Sequence, residues 1–138
     1  WLKTGYDELS DAAQASGVNL DNDLVNAPEW STSLGIIYVH ELAGGGELSP
    51  RLDWSWQDSQ FNDAINSPQI RQEAYQLLNL SLAWDLPGEQ WQILGGVRNV
   101  LDETILTTGN SAFDTSAAYV EQVYARPREW QMSIRYAF

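Results

Sequence analysis

Cysteine is absent from this 138-residue chain, histidine and methionine occur once each, and Lys and Arg together number 7 against 19 Asp and Glu. The missing thiols exclude disulfide frameworks, thiolate zinc sites and cysteine nucleophiles. They leave the cellular compartment open. A net charge of −12 is the opposite of the basic footprint that nucleic-acid binding needs, and the few cations are scattered, so no nucleic-acid partner is expected. Long apolar runs are lacking too. No stretch approaches the ~18 residues of a membrane helix, and the mean hydropathy is −0.35. This excludes helical membrane proteins only, because the strands of a membrane barrel alternate apolar with polar residues and look hydrophilic on average.

Signs of catalysis are equally scarce. His40 has no second His and no Cys with which to build a metal site or a triad, and strand parity makes it a rim residue. Asp21-Asn22-Asp23 offers oxygen ligands but lacks the Gly and closing Glu of an EF-hand loop, and reads as solvated acidic loop. No carboxylate pair stands out among so many acids. Gly44-Gly45-Gly46 is followed by Glu47 rather than by the Lys-Ser/Thr of a phosphate loop, and no Gly-x-Ser-x-Gly occurs. No enzyme activity, no metal and no cofactor is expected.

What the chain does have is tryptophan, 7 in all, and two alternating textures. One is strand-like with period 2. The other is rich in Asn, Asp, Ser, Gly and Ala and reads as loop. No helical period is sustained; the best helical stretch, Gln69–Leu78, gives way to alternation. Six strands are expected, over about Trp1–Glu8, Trp30–Leu42, Glu47–Asp58, Glu73–Leu86, Gln90–Val100 and Val123–Phe138. Most exceed the ~5–6 residues of soluble strands and suit the ~9–11 tilted residues that cross an outer membrane. Their connections alternate in length. Ser10–Glu29, Ser59–Gln72 and Leu101–Gln122 are long; Ala43–Gly46 and Pro87–Glu89 are tight. In an up-and-down meander every long loop then lies at one end and every short turn at the other, as in bacterial outer-membrane barrels. The opening residue is Trp1, with neither an initiator Met nor a signal peptide, and the chain reads as a piece of a longer protein.

The alternation separates an apolar face from a polar one. Leu34, Ile36, Leu52, Leu80, Leu82, Trp84, Met132, Ile134 and Tyr136 fall on one parity; Arg51, Asp53, Asn79, Ser81, Arg98, Gln131 and Arg135 fall on the other. The apolar parity is expected to face lipid, where a charge costs several kcal/mol, and the polar parity the lumen. Aromatic residues cluster toward the strand ends. Trp30, Trp56 and Trp130 lie near the long loops; Tyr38, Trp84, Trp91, Tyr136 and Phe138 lie near the tight turns; Trp54 sits one step inside. From Trp30 to Tyr38, and from Trp130 to Phe138, the rise is roughly 20 Å for tilted strands. Aromatic rims about that far apart with aliphatic residues between them make a membrane-interface girdle.

Four segments carry a family resemblance. Asn26-Ala27-Pro28-Glu29-Trp30-Ser31 resembles an "N-x-P" approach to a late barrel strand. Ala74-Tyr75-Gln76-Leu77-Leu78-Asn79-Leu80 resembles a "Y-x-L-L-N" strand. Gly96-Val97-Arg98-Asn99-Val100-Leu101-Asp102-Glu103 looks like the "v-x-N-L-f-D-k" box, with Val100 for the usual Leu and Ile105 where Tyr is frequent. Arg126-Pro127-Arg128-Glu129-Trp130 through Arg135-Tyr136-Ala137-Phe138 looks like the final strand. In order and spacing, these segments resemble the C-terminal part of the β-barrel of TonB-dependent outer-membrane receptors, over nearly the whole chain. The resemblance implies an all-β fold: an antiparallel up-and-down meander of about six long strands, residues 1–138 forming a partial barrel, since the smallest barrels have about 8 strands. It implies a plug domain and earlier strands elsewhere in the receptor. It also implies a Gram-negative outer-membrane location and import of a ferric siderophore, cobalamin or an oligosaccharide, driven by the TonB complex.

Within that reading, Phe61, Phe113 and Tyr119 are aromatic residues in polar loops and candidates for touching a ligand. Asn99 and Asp102 are structural residues of the box, with side chains suited to turns. By resemblance, Phe138 ends an assembly signal for the barrel-insertion machinery. Expected partners are outer-membrane lipid, the rest of the receptor, the TonB complex through the plug, and that machinery. Two alternatives stand: a soluble Trp-rich carbohydrate-binding β-sandwich, and a porin-like barrel independent of TonB.

Overall fold

A computed structural model describes residues 1–88 and 90–138. In chain order its elements are α1 (Asp11–Ala15), β1 (Ser31–Ile37), β2 (His40–Glu41), β3 (Glu47–Gln57), β4 (Gln60–Phe61), a 3-10 turn (Pro68–Ile70), β5 (Arg71–Gln72), β6 (Tyr75–Asp85), β7 (Trp91–Arg98), β8 (Leu106–Ser111), β9 (Val120–Tyr124) and β10 (Glu129–Tyr136). The chain divides into two compact units. One comprises Trp1–Ser31, Trp56–Tyr75 and Thr104–Ala125; the other comprises Thr32–Ser55, Gln76–Glu103 and Arg126–Phe138.

The second unit is built on a six-stranded sheet in the order β1-β3-β6-β7-β10, with the short β2 also paired to β3. Its registers fix which residues share a face. Across the antiparallel β6–β7 and β7–β10 ladders, Leu80, Val97 and Trp130 form one row, Leu82, Gly95 and Met132 the next, and Trp84, Ile93 and Ile134 a third. The intervening rows are Ser81–Gly96–Gln131, Ala83–Leu94–Ser133 and Asp85–Gln92–Arg135. Leu94 is the only large apolar side chain in these intervening rows.

Tight turns close this sheet where glycine permits them. Leu42 donates its N–H to the carbonyl of Gly46 at 3.0 Å, and Gly45 donates back to Leu42 at 2.9 Å. Gly46 has φ +86, and a Cβ there would strike the Asp85 carbonyl, so the position requires glycine twice over. The second turn, expected over Pro87–Glu89, is bracketed by the Leu86 N–H bonding the Trp91 carbonyl at 2.9 Å. Glu89 itself lies outside the described residues.

The first unit gathers the three long connections. Its core is small: Val18, Ile70, Ile105 and Leu106 are the buried apolar residues described, and Ile70 is wholly enclosed. Ile70 fits against Gly109 of β8, where a Cβ would come within 2.6 Å of the Ile70 Cγ2. Polar side chains knit the loops together. Asn22 donates to the Ala64 carbonyl at 2.8 Å, Asn66 Oδ1 accepts the Asp23 N–H at 2.7 Å, and Gln122 donates to the Gln69 carbonyl at 2.8 Å. The buried Gln72 accepts the Leu106 N–H and donates to the Glu73 carbonyl.

Several sequence expectations need correction. Trp1–Glu8 forms no strand; its backbone tie is one bond from the Leu2 N–H to the Glu29 carbonyl, 2.8 Å. Alternation alone does not make a strand without a ladder partner. The strand expected over Trp30–Leu42 is interrupted at Tyr38 and Val39, so it becomes β1 and β2. The strand expected from Val123 begins at Glu129; Val123 and Tyr124 belong to β9, which pairs with β8. The long connections also hold short antiparallel ladders, β4–β5 and β8–β9. Gln69–Leu78 contains a 3-10 turn and the start of β6 rather than a helix. The five-residue α1 has its N-terminus capped by Ser10 Oγ, which accepts the Ala13 N–H at 3.3 Å.

Candidate functional site

The deciding geometry is in β6, the middle strand of the sheet order and the one least affected by the sheet's edges. Its apolar residues are the exposed ones: Leu80 at 40%, Leu82 at 44% and Trp84 at 39%. Asn79, Ser81, Ala83 and Asp85, between and beside them, are half-buried. A water-soluble sheet shelters its apolar face and presents its polar one. Here the order is inverted. On β10, an end strand, both parities are exposed, Trp130, Met132 and Ile134 together with Gln131, Ser133 and Arg135. None of the buried apolar residues described belongs to the sheet unit.

The polar face is internally bonded. Arg51 makes a two-pronged pair with Asp53, both N–O distances 2.7 Å, beside Gly35, whose missing side chain leaves room for the carboxylate. Gln92 donates to Asp85 at 2.7 Å, in the row that also carries Arg135. On the opposite, apolar parity, Trp54, the aromatic residue one step inside the expected rim, donates its indole N–H to Gln76 at 3.2 Å.

Of the expected girdle residues, Tyr38, Trp84, Trp91, Trp130 and Tyr136 belong to the sheet unit and are exposed; Trp30 and Trp56 belong to the loop unit. Trp91 and Tyr136 are register partners with ring centroids 4.6 Å apart, and Tyr136 lies 5.9 Å from Phe138. Phe138 is fully exposed. Tyr38 stacks on His40 at 6.2 Å, and Trp30 lies 6.4 Å from Trp1.

The loop aromatics are only partly brought together. Phe113 and Tyr119 share the connection between β8 and β9, closed by the Ala112 N–H bonding the Tyr119 carbonyl at 3.0 Å. Asn110 holds the Tyr119 hydroxyl at 3.0 Å, and both rings are exposed. Phe61 is on the separate β4–β5 ladder, half-buried, with the Arg71 guanidinium 5.6 Å from its ring centre. Lys3 and Arg71 are the only Lys or Arg side chains in this otherwise acidic loop unit.

Asn99 and Asp102 make a compact turn at the end of β7. Both have positive φ, 49° and 58°, a conformation Asn and Asp tolerate better than most residues. Asn99 is 4% exposed. Its Oδ1 accepts the Glu103 N–H and its Nδ2 donates to the Glu103 carbonyl, each at 2.9 Å, while its own N–H bonds Asn79 Oδ1. Asp102 accepts the Arg128 N–H at 3.0 Å and pairs with its guanidinium at 3.2 Å. Sequence reading missed the Ile70–Gly109 fit and the buried Gln72. Neither leaves a periodic signal, because both depend on contacts between loops distant in sequence.

The inverted exposure of β6, the tight glycine turns and this bonded Asn-Asp turn together describe a stretch of barrel wall. Residues 1–100 match the family described as TonB dependent receptor-like, beta-barrel. The chain belongs to that family. Among solved structures it is similar to the crystal structure of the ferric yersiniabactin uptake receptor FyuA from Yersinia pestis, with TM-score 0.71 and 24% identity over 83% of this chain. The match occupies 17% of that receptor chain. At this identity the likeness shows the fold, a partial and unclosed barrel. No curated protein matches the chain. Receptors of this family are outer-membrane transport proteins of Gram-negative bacteria, and neither the family nor FyuA is an enzyme.

Proposed function

We propose that this chain forms late barrel wall and extracellular loops, residues 1–138, of an outer-membrane receptor that imports a scarce nutrient of the ferric siderophore, cobalamin or oligosaccharide class. The plug and earlier strands of the receptor complete the lumen, and the TonB complex supplies energy through the plug. The observation that carries the reading is the inverted exposure of β6, since Leu80, Leu82 and Trp84 outward with Ser81 and Asp85 sheltered suits lipid outside and water inside. Trp30, Trp56 and Trp130 then serve as one interfacial belt, and Tyr38, Trp84, Trp91 and Tyr136 as the other. Asn99 and Asp102 hold the turn after β7. Phe113 and Tyr119, and less directly Phe61, are the side chains offered to ligand. Phe138 continues the outward parity of Met132, Ile134 and Tyr136, and is assigned both to anchoring β10 at the interface and to recognition by the barrel-assembly machinery.

The carbohydrate-binding sandwich needs tryptophans packed between two sheets or set on a short-stranded soluble scaffold; exposed Trp84, Trp91 and Trp130 on one long-stranded sheet disfavour it. The family match favours a receptor over a porin-like channel.

Cysteine scanning tests the membrane reading without background from this segment, which has no native thiol. In the full-length receptor in cells, Ser81→Cys is expected to react with a water-soluble maleimide and Leu82→Cys to be shielded by lipid. Equal labelling at both positions overturns it. Loss of receptor-dependent growth on one nutrient class, after deletion of the gene, identifies the cargo.

A further inference from the structure

The loop unit carries eleven Asp and Glu against Lys3 and Arg71. Both cations have acidic company. Arg71 lies 3.4 Å from Glu73 and donates to Ser59 Oγ at 3.0 Å, and Lys3 lines a small hollow with Asp23 and Glu29. One part of the unit has a different texture. From Thr104 to Ala125 the charged residues are Asp114 and Glu121, with no cation. There β8 and β9 pair as a hairpin whose exposed side chains are aromatic, hydroxyl and amide groups, among them Phe113, Tyr119, Tyr124, Thr108 and Asn110. The base of the hairpin is fixed: Leu106 is buried, Gly109 fits against Ile70, and Gln122 donates to the Gln69 carbonyl at 2.8 Å. Its tip is stapled, since the Thr115 hydroxyl donates to the Ala112 carbonyl at 2.7 Å and accepts the Ala117 N–H at 3.2 Å. Asn110 Nδ2 donates to the Tyr119 hydroxyl oxygen at 3.0 Å, which steadies the ring and leaves the phenol proton to be donated elsewhere. The rings are held at the surface rather than packed away, Phe113 at 54% exposure and Tyr119 at 43%.

We propose that the β8–β9 hairpin binds an uncharged, hydroxyl-rich cargo, an oligosaccharide, with sugar rings stacked on Phe113 and Tyr119. The proposal rests on the receptor reading above and selects one of its three cargo classes. An aromatic face is electron-rich, and the C–H face of a sugar ring is its apolar, weakly positive complement. Beside the rings, the Tyr119 phenol and the Asn110 carboxamide keep hydrogen-bonding capacity for sugar hydroxyls. Aromatic surface with a few placed neutral polar groups suits a neutral polar ligand. Rings already held by their own loop lose little freedom on binding. Charge argues against the most anionic cargo. A ferric tris-catecholate is a trianion, and the carboxylates of this unit repel it while its two cations both stand beside acids. A corrinoid asks for a broad apolar floor, whereas the hairpin offers single rings set among hydroxyl and amide groups.

The test uses the full-length receptor purified in detergent and titrated calorimetrically with four probe sets. These are neutral gluco-, xylo- and manno-oligosaccharides; catecholate and hydroxamate ferric siderophores; cyanocobalamin; and the glycan released from the host's own lipopolysaccharide. A neutral oligosaccharide is expected to bind, with an affinity that does not fall as salt is raised. Phe113→Ala and Tyr119→Ala are each expected to weaken it about tenfold, the loss of one stacked ring. Tyr119→Phe keeps the ring and is expected to retain most of the affinity, and Asp114→Asn to leave it unchanged. Both rings are exposed, so the alanine variants are expected to melt like the wild type, which separates lost binding from lost folding. Binding of a siderophore or of cyanocobalamin in place of every oligosaccharide overturns the inference and leaves the receptor reading standing. So does oligosaccharide binding that neither alanine variant weakens, or that disappears at high salt. If the lipopolysaccharide glycan alone binds, the hairpin meets a neighbouring membrane glycan rather than cargo, and the inference falls. A receptor that binds none of the four sets refutes the import reading itself.

Discussion

Asn99 shows how much one side chain does. It is buried, adopts a positive φ, and both accepts from and donates to Glu103 through its carboxamide. The sequence identified the position as a turn residue at the end of a strand, because Asn is suited to that chemistry. It did not identify Asn79 or Arg126 as neighbours, since those meet Asn99 only across the sheet. Asn99→Ala leaves two backbone groups of Glu103 without their partner and puts a Cβ residue with no side-chain compensation in the left-handed region. The expected cost is about 3 kcal/mol. A lowered urea midpoint for the lipid-refolded full-length receptor, with an unchanged slope, is the measurement. Asp102→Asn keeps an acceptor for the Arg128 N–H and loses only an exposed ion pair, so it is expected to cost under about 1 kcal/mol. If the two variants are equally destabilised, the turn is held by something other than the Asn99 carboxamide.

At the scale of elements, period-2 reading worked where a strand has partners on both sides. Glu47–Asp58 and Glu73–Leu86 correspond to β3 and β6 within a residue or two. It failed at Trp1–Glu8, where a comparable pattern has no ladder to join, and at Val123, where β9 takes the residues into another pairing. The loop hairpins were illegible for a different reason. Their stability comes from Asn, Gln and glycine contacts between segments, and these leave no periodic trace. Since parity is the legible quantity, it is also the one to test. Leu82→Arg puts a cation on the outward face of the central strand and is expected to destabilise the lipid-inserted receptor by about 2–4 kcal/mol. Ser81→Arg, one residue away on the polar face, is expected to cost less than about 1 kcal/mol, because that face meets water. Equilibrium unfolding in vesicles distinguishes them. The reverse order of costs would mean that the faces are assigned the wrong way round.

For the whole 138-residue chain, the issue is where its apolar residues are. The four described as buried all lie in the loop unit, while Leu34, Ile36, Leu80, Leu82, Trp84, Trp130, Met132 and Ile134 are exposed on the sheet. Burial drives folding in water, and a sheet whose described apolar residues are at most half-buried gains little from it. The outward face also gathers exposed Leu80, Leu82, Trp84, Trp130, Met132 and Ile134 in adjacent rows, the kind of contiguous apolar patch that soluble monomers rarely present. β1 and β10 stand at the two ends of the strand order, leaving unpaired backbone groups that invite association between chains. The loop unit does not rescue the sheet, since its own core is four residues and the rest of its cohesion is hydrogen bonding, each bond worth about 1 kcal/mol net. The isolated chain in detergent-free buffer is therefore expected to lack a cooperative thermal transition, to bind a hydrophobic dye strongly, and to aggregate as concentration rises. Detergent micelles or lipid should restore strand content, because they cover the outward face. A sharp melt of a monomer in plain buffer, with its tryptophan emission blue-shifted as in a dry core, would mean that the exposed rows pack against something within this chain, and the barrel-wall account of the sheet would fall with it.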